Sequence, residues 1–337
     1  MALRWYDGFD ELPDVNEETY LTSAGYLFAS DTDWVTGRGD KGRAVRLSNS
    51  NASLQRAVGA ASELIVGMGF KYTSTLVVDD VIMFGTDTGV AIETGIRIER
   101  NLSNGLQLIV NGVLTGSTPQ NVIQANVFAY IETRIVLNGV ASVWQCRINN
   151  QQVADVTFDG TGIAMDRVLW DKRSNGSHII DDVYVLDNLG TANVTWLGDV
   201  FVENIALQSN ASPIQFTPVG SVANFSNINE IGAADELKYN VSQTVGARDM
   251  FNIANLNILV DQVFAVMVGL RVRKIGSGSV TVNSVLNDGV NPDQLGPEFS
   301  PDTDFQTVFD IFSEKPSGGA WTIEDFNSLI IGYEIAS

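Results

Sequence analysis

From Asn126 to Asp187 the chain alternates apolar and polar residues almost without a break. Val127, Ala129, Ile131, Thr133, Ile135 and Leu137 alternate with Phe128, Tyr130, Glu132, Arg134 and Val136. A period of two sends successive side chains to opposite faces of a strand, whereas a helix with one buried face needs a period near 3.6. Asn138-Gly139 follows, and Ser142, Trp144, Cys146 and Ile148 alternate on the way back. Asn149-Asn150 then leads into Val153 to Phe158. A type I′ turn needs positive φ at both central residues, which Asn and Gly tolerate, so these pairs predict antiparallel hairpins. The run from His178 to Asp187 reads as one more strand, with acids at Asp181, Asp182 and Asp187.

The same texture fills the chain before it. Leu64, Val66, Met68, Phe70 and Tyr72 share one face of a strand. Leu76 to Phe84 is apolar but broken by Asp79-Asp80, which predicts a bend. Gly95 to Arg100 and Leu106 to Val110 pair around a short turn, and Asn111-Gly112 turns the chain again. Before residue 190 no amphipathic helix is visible. About ten short strands at regular spacing predict an all-β, two-sheet sandwich or jelly roll. The 31 glycines suit a fold of many tight turns.

The polar stretch Asp187 to Thr195 marks a change of texture, and domains of 1–190 and 191–337 are expected. In the smaller, β-rich second domain, strands are predicted at Leu197 to Ile205, Asp261 to Lys274 and Ser328 to Ile335. Ser279 to Leu286 is expected to form a hairpin with the strand before it, and short helices are expected near Ala233 to Lys238. Residues 190–337 hold 17 acids against 6 Lys and Arg, and the first 189 hold 23 against 14.

A net charge of −20 excludes nucleic acid and anionic membrane as partners, because both require a basic surface. Cys146 is the single cysteine, so no internal disulfide forms, which fits folding in a reducing cytoplasm. The N-terminal residues contain no secretory h-region. The apolar run from Val263 to Val272 is too short to span a bilayer.

Catalytic equipment is sparse. One His178 and one Cys146 cannot build a zinc site, and His178 reads as a capping or surface residue. No Gly-x-Ser-x-Gly elbow and no Walker loop occur. For glycoside hydrolysis the nearest acids are Glu93 and Glu99, which are too far apart. Asp79-Asp80 and Asp181-Asp182 are adjacent pairs, so each pair should point to opposite faces. A non-enzymatic chain is expected, with no resident cofactor. Calcium is the one cation the acids leave open: Asp31, Asp33 and Asp40 lie around one loop, and Asp181 or Asp182 would approach it in a jelly roll. Arg38-Gly39-Asp40 reads as an ordinary loop. The sequons at Asn51 and Asn175 carry no weight without a signal peptide. Of the six tryptophans most read as core, with Trp170 and Trp34 as candidates to stack on a sugar.

Trp34, the stretch Gly37-Arg-Gly-Asp-Lys-Gly-Arg-Ala-Val-Arg-Leu47, the hairpins and Ile180-Asp-Asp-Val-Tyr-Val-Leu-Asp187 resemble the concanavalin-like (laminin-G-like) jelly rolls. That resemblance implies a last strand returning beside the early ones. Asp181 to Asp187, Trp196-Leu-Gly-Asp-Val-Phe-Val202, Tyr239 to Phe251 and Pro316 to Glu334 resemble virion proteins of tailed bacteriophages. This second resemblance implies a structural virion component such as a decoration, collar, fibre or tail protein, made in the host bacterial cytoplasm. Its partners would be other virion proteins and further copies of itself. The alternatives are a carbohydrate-binding module for a host surface glycan, expected to expose Trp or Tyr on its concave sheet, and a glycan depolymerase.

Overall fold

A computed structural model describes residues 3–9, 21–22, 25–49, 52–73, 78–86, 95–171, 177–229, 236–256 and 262–337. Backbone contacts divide the chain into two units, one running to Glu203 and the other from Asn204 to Ser337. Among the described residues no helix is long and apolar enough to cross a membrane.

The first unit is built from β1 (Leu3–Asp7), β2 (Phe28–Ser30), β3 (Thr32–Thr36), β4 (Arg43–Leu47), β5 (Ser53–Ala61), β6 (Glu63–Tyr72), β7 (Asp79–Gly85), β8 (Ile96–Arg100), β9 (Leu106–Val110), β10 (Val113–Ser117), β11 (Ala129–Val136), β12 (Ser142–Ile148), β13 (Gln151–Phe158), β14 (Met165–Asp171) and β15 (His178–Leu186). They form an eight-stranded sheet, β13-β12-β11-β6-β15-β4-β3 with β1 also on β15, and a seven-stranded sheet, β10-β9-β8-β7-β14-β5-β2. This is the all-β jelly-roll sandwich that the alternation predicts. Val66, Met68, Phe70, Ile131, Ile135, Trp144 and Cys146 of the larger sheet are buried, as are Leu54, Phe84, Ile98, Leu108, Val168 and Trp170 of the smaller one. Each such aliphatic or aromatic side chain stabilises the fold by about 1.5–3 kcal/mol relative to exposure.

The turns obey their residues. Asn111 and Gly112 have φ of 47° and 80°, and Asn149 and Asn150 have 49° and 66°, so both pairs make the tight turn expected. Asn138-Gly139 differs. Only Gly139 has positive φ there, at 56°. The pair lies in a longer connection, where Ser142 Oγ accepts from the Asn138 N–H (2.9 Å) and donates to the Gly139 carbonyl (2.7 Å).

Two acid pairs mark β-bulges. The register of β7 on β8 shifts between Asp80 and Ile82. That of β15 on β6 shifts between Asp181 and Tyr184, with Asp182 at a φ of 47°. On its other side β15 pairs with β4 through His178–Ile180 and with β1 through Val183–Leu186. The last strand therefore returns beside the early ones.

The second unit contains β16 (Leu207–Ile214), β17 (Thr217–Val219), β18 (Tyr239–Val241), β19 (Arg248–Ile253), β20 (Val266–Val272), β21 (Val282–Asn287), β22 (Gln294–Leu295), β23 (Gln306–Phe312) and β24 (Ile330–Ile335). Its sheets are β16-β19-β24-β21-β22, β17-β18 and β20-β23. The hairpin expected at the Gly-Ser-Gly turn is corrected: β20 pairs with β23, while β21 joins β24 and β22. Val266, Leu270 and Phe312 of the β20-β23 pair pack with Leu286, Trp321 and Phe326, so that turn links two layers around one core. The helix expected near 233–238 lies mostly outside the described residues. A short helix, Ile323–Asn327, starts at a capping box between Thr322 and Asp325. Fully buried Asp249 accepts from the Gln215 and Phe216 N–H groups and from Asn224 Nδ2, at 2.7, 2.9 and 2.6 Å, and so pins the chain around residue 216 to β19.

Candidate functional site

The inward parity of the eight-stranded sheet is spent on the core, so its opposite parity forms an outer face. On that face Glu132 of β11 lies opposite Gly67 of β6 and Arg147 of β12. Arg134 lies opposite Ile65 and Gln145, and Gln145 lies opposite Asp155 of β13.

One half of the face is covered. The bulge at Asp182 turns both acids of the pair onto Arg38. The Arg38 N–H donates to Asp181 Oδ2 (2.6 Å) and Arg38 Nε to Asp182 Oδ2 (2.9 Å). The expectation that these acids point to opposite faces fails because a bulge interrupts the period of two. Arg38 Nη1 donates to Asp199 and Nη2 to the Val200 carbonyl. The guanidinium lies 3.8 Å from the Phe201 ring centroid and 5.0 Å from that of Tyr130. Burial opposes its charge, but Asp182 and Asp199 outweigh that, and Arg38 is held above its ordinary value.

Beside it, Tyr184 O–H donates to Glu132 Oε1, and the Gly198 N–H donates to the same oxygen at 2.8 Å. The Leu197 N–H reaches the Tyr184 hydroxyl (3.3 Å), the Asp199 N–H reaches Asn150 Oδ1 (3.1 Å), and the Val202 N–H reaches Asp182 Oδ1 (2.8 Å). The strand expected from Leu197 is therefore an irregular segment, because its N–H groups bond to side chains of the sheet instead of to a neighbouring strand. Gly67 and Gly69 make room beneath it, since a Cβ on Gly67 would overlap the Tyr184 ring and one on Gly69 would crowd Arg38. Tyr130 and Tyr184 stack at 6.5 Å, and burial first pushes both phenols well up, followed for Tyr130 by the Tyr184 phenol and then Asp182 and Glu132, and for Tyr184 by Glu132.

The other half is open. Asn188 Nδ2 donates to Glu63 Oε2 (3.2 Å), Arg134 Nε to Glu63 Oε1 (2.8 Å) and Arg134 Nη1 to Gln145 Oε1 (3.1 Å). Gln145 Nε2 and Gln152 Nε2 both donate to Asp155 Oδ2, at 3.2 and 3.3 Å. The result is a hydrogen-bonded stripe of planar polar groups crossing four strands, exposed at its Asp155 and Gln152 end. Half-buried Trp196 flanks it, with the Arg147 guanidinium 4.7 Å from its ring centroid.

The residues singled out in the sequence fall elsewhere. Trp170 is 0% exposed, because β14 is sandwiched between β7 and β5 and all of Val168 to Asp171 is buried. Trp34 is half-buried on the edge strand β3, opposite core residue Val45. Asp31 accepts from Asn49 Nδ2 (2.9 Å), Asp33 pairs with Arg46 (2.9 Å), Asp40 is exposed in a short turn, and Asp181 holds the Arg38 backbone. Among the described residues no three His, Cys, Asp or Glu converge as a metal site. His178 is not a surface residue but is buried, 3.2 Å from Asp79 Oδ2 through Nε2 and edge-on to Phe70. Cys146 is buried, and burial pushes its thiol up. Glu99 accepts from Gln107, and Glu93 lies outside the described residues. Sequence reasoning missed Arg38, Glu132, Arg134, Gln145 and Trp196. The signal for three of them was present as polar parity on β11 and β12.

No protein-family model matches the sequence, and no curated protein does. Solved structures of similar strand arrangement include the cellulose induced protein Cip1, with 12% identity over 58% of this chain and 100% of that one (TM-score 0.42). The carbohydrate binding module CBM66 from Bacillus subtilis shares 12% identity over 48% of this chain and 94% of its own (TM-score 0.33). A Trypanosoma rangeli sialidase shares 4% identity over 47% of this chain (TM-score 0.36). The chain spans 26% of that sialidase and 15% of another. At these values the likeness is one of β-sandwich architecture alone. The expectation of a chain without enzymatic activity is corrected here: sialidases and the alginate lyase AlyC3 stand among the matching structures, so this architecture is no ground for excluding an enzyme.

Proposed function

We propose that the first unit is a glycan-binding module and that the open half of the outer face is its binding surface. The observation that carries this reading is the stripe Glu63–Arg134–Gln145–Asp155 with Trp196 at its flank. Amide, carboxylate and guanidinium groups present paired donors and acceptors in a plane, which matches the vicinal hydroxyls of a sugar. Their mutual hydrogen bonds hold them in place before a ligand arrives, so little side-chain entropy remains to be lost. An indole offers a broad, electron-rich face to the C–H groups of a sugar ring. The setting in a tailed-phage particle, with virion proteins and further copies as partners, rests on the sequence resemblance. In that setting the ligand is a host surface glycan.

The test is a glycan microarray followed by titration calorimetry on the best hits. Gln145→Ala and Trp196→Ala should each weaken binding by about tenfold, the loss of one or two good contacts, with the fold intact by circular dichroism. A broad array without a hit, or hits that both variants bind as tightly as the parent, would sink the reading.

A further inference from the structure

The cations of the outer face divide into two kinds. Arg38 is neutralised by Asp182 and Asp199, and Arg134 by Glu63. Arg147 and Lys71, by contrast, have no carboxylate partner among the described residues. Each lies over an aromatic ring instead, Arg147 at 4.7 Å from the Trp196 centroid and Lys71 at 4.5 Å from that of Phe128. A ring positions a cation without cancelling its charge. The contrast is notable in a chain with 40 acids against 20 Lys and Arg, where a carboxylate is the commonest charged neighbour. Glu132 sits opposite Arg147 in register, yet its Oε1 accepts from Tyr184 and Gly198 and its Oε2 is enclosed without a partner. Arg147 is half-buried, and Gln152, opposite it on β13, is exposed.

We propose that the ligand of this face is an acidic oligosaccharide, one whose sugars bear carboxylates, and that Arg147 takes a carboxylate. A planar guanidinium pairs with a carboxylate through two parallel N–H···O bonds, a geometry an ammonium does not offer. Gln152 and Gln145 then take neighbouring hydroxyls. The inference rests on the glycan-binding reading and adds the ligand's charge. General attraction of polyanions is no substitute for such a site, because the net charge of −20 repels them.

The experiment is calorimetry of the full chain with oligogalacturonate, oligoglucuronate and sialyllactose, each beside its methyl ester. At least one acid should bind about tenfold or more tightly than its ester, as expected for one charge-assisted bidentate contact, and more weakly as salt rises. Arg147→Gln should abolish that preference and Arg147→Lys should keep part of it, with melting temperatures unchanged. Equal binding of acids and esters, with Gln145→Ala still weakening both, would overturn the inference and leave a neutral-glycan module standing. A preference that survives Arg147→Gln would overturn the role of Arg147. No binding of any acid, ester or neutral glycan would remove both readings together.

Discussion

The two halves of one sheet face use the same kinds of side chain to opposite ends. In the covered half, Arg38, Asp181, Asp182, Glu132 and Tyr184 direct their hydrogen bonds to the chain's own residues 38 and 196–202. In the open half, Arg134, Gln145, Gln152 and Asp155 bond to one another across the strands and keep the rest of their capacity toward solvent. The lesson is that polar content does not identify a binding surface. What identifies it is where the second hydrogen bond of each group goes.

That contrast can be broken at several points. The largest effect is expected from Asp182→Ala, which takes from largely buried Arg38 the more buried of its two carboxylate partners and frees the Val202 N–H. Loss of one partner of a largely buried ion pair costs about 3–5 kcal/mol, to be read from urea unfolding. A loss under about 1 kcal/mol would show the covered half to be loosely held. Gly67→Ala comes next: its methyl group would displace the Tyr184 ring, and overpacking of this kind costs about 1–3 kcal/mol. Alkaline titration tests the same half. Tyr130 and Tyr184 are raised by burial, so both states keep these phenols neutral below the unfolded value of about 10. Above it only the unfolded chain ionises them, and stability falls as pH rises. Absorbance of phenolate should therefore appear from these two tyrosines only with unfolding, and Tyr130→Phe with Tyr184→Phe should flatten the loss.

In the open half, Arg134→Ala should change stability by less than about 1 kcal/mol, since its ion pair with Glu63 is partly exposed, while weakening glycan binding in the same calorimetric assay. The smallest effect is expected from EDTA. Asp33 is engaged by Arg46 and Asp181 by the Arg38 backbone, so chelation should leave the melting temperature unchanged, and a downward shift would reveal a cation the acids share.

Local rules made the strands legible. Residues 129–136 and 142–148 alternate as the period of two demands, and the Asn pairs turn where their tolerance of positive φ allows. The site was legible only in part. Polar parity at Glu132, Arg134 and Gln145 is written in the sequence, but which half of the face stays open depends on a segment distant in the chain. Trp170 read as exposed because Lys172 and Arg173 follow it, whereas its strand is central and buried on both faces. Asp181-Asp182 read as two faces because a bulge leaves no signature in the spacing of residues. Trp196 read as core because apolar residues follow it, yet those residues belong to an irregular segment whose bonds are made by side chains.

That segment has a consequence for anyone cutting the chain. A fragment ending at residue 190, where the composition changes, would keep every strand of the sandwich and still be damaged. It would uncover Tyr130 and Tyr184, strip Glu132 of the Gly198 donor and deprive Arg38 of Asp199, leaving a sticky aromatic patch beside part-neutralised charge. A fragment carried on to Glu203 retains these partners. Soluble, monodisperse expression of the longer fragment and aggregation of the shorter one would mark residues 196–202 as the finishing layer of the first unit.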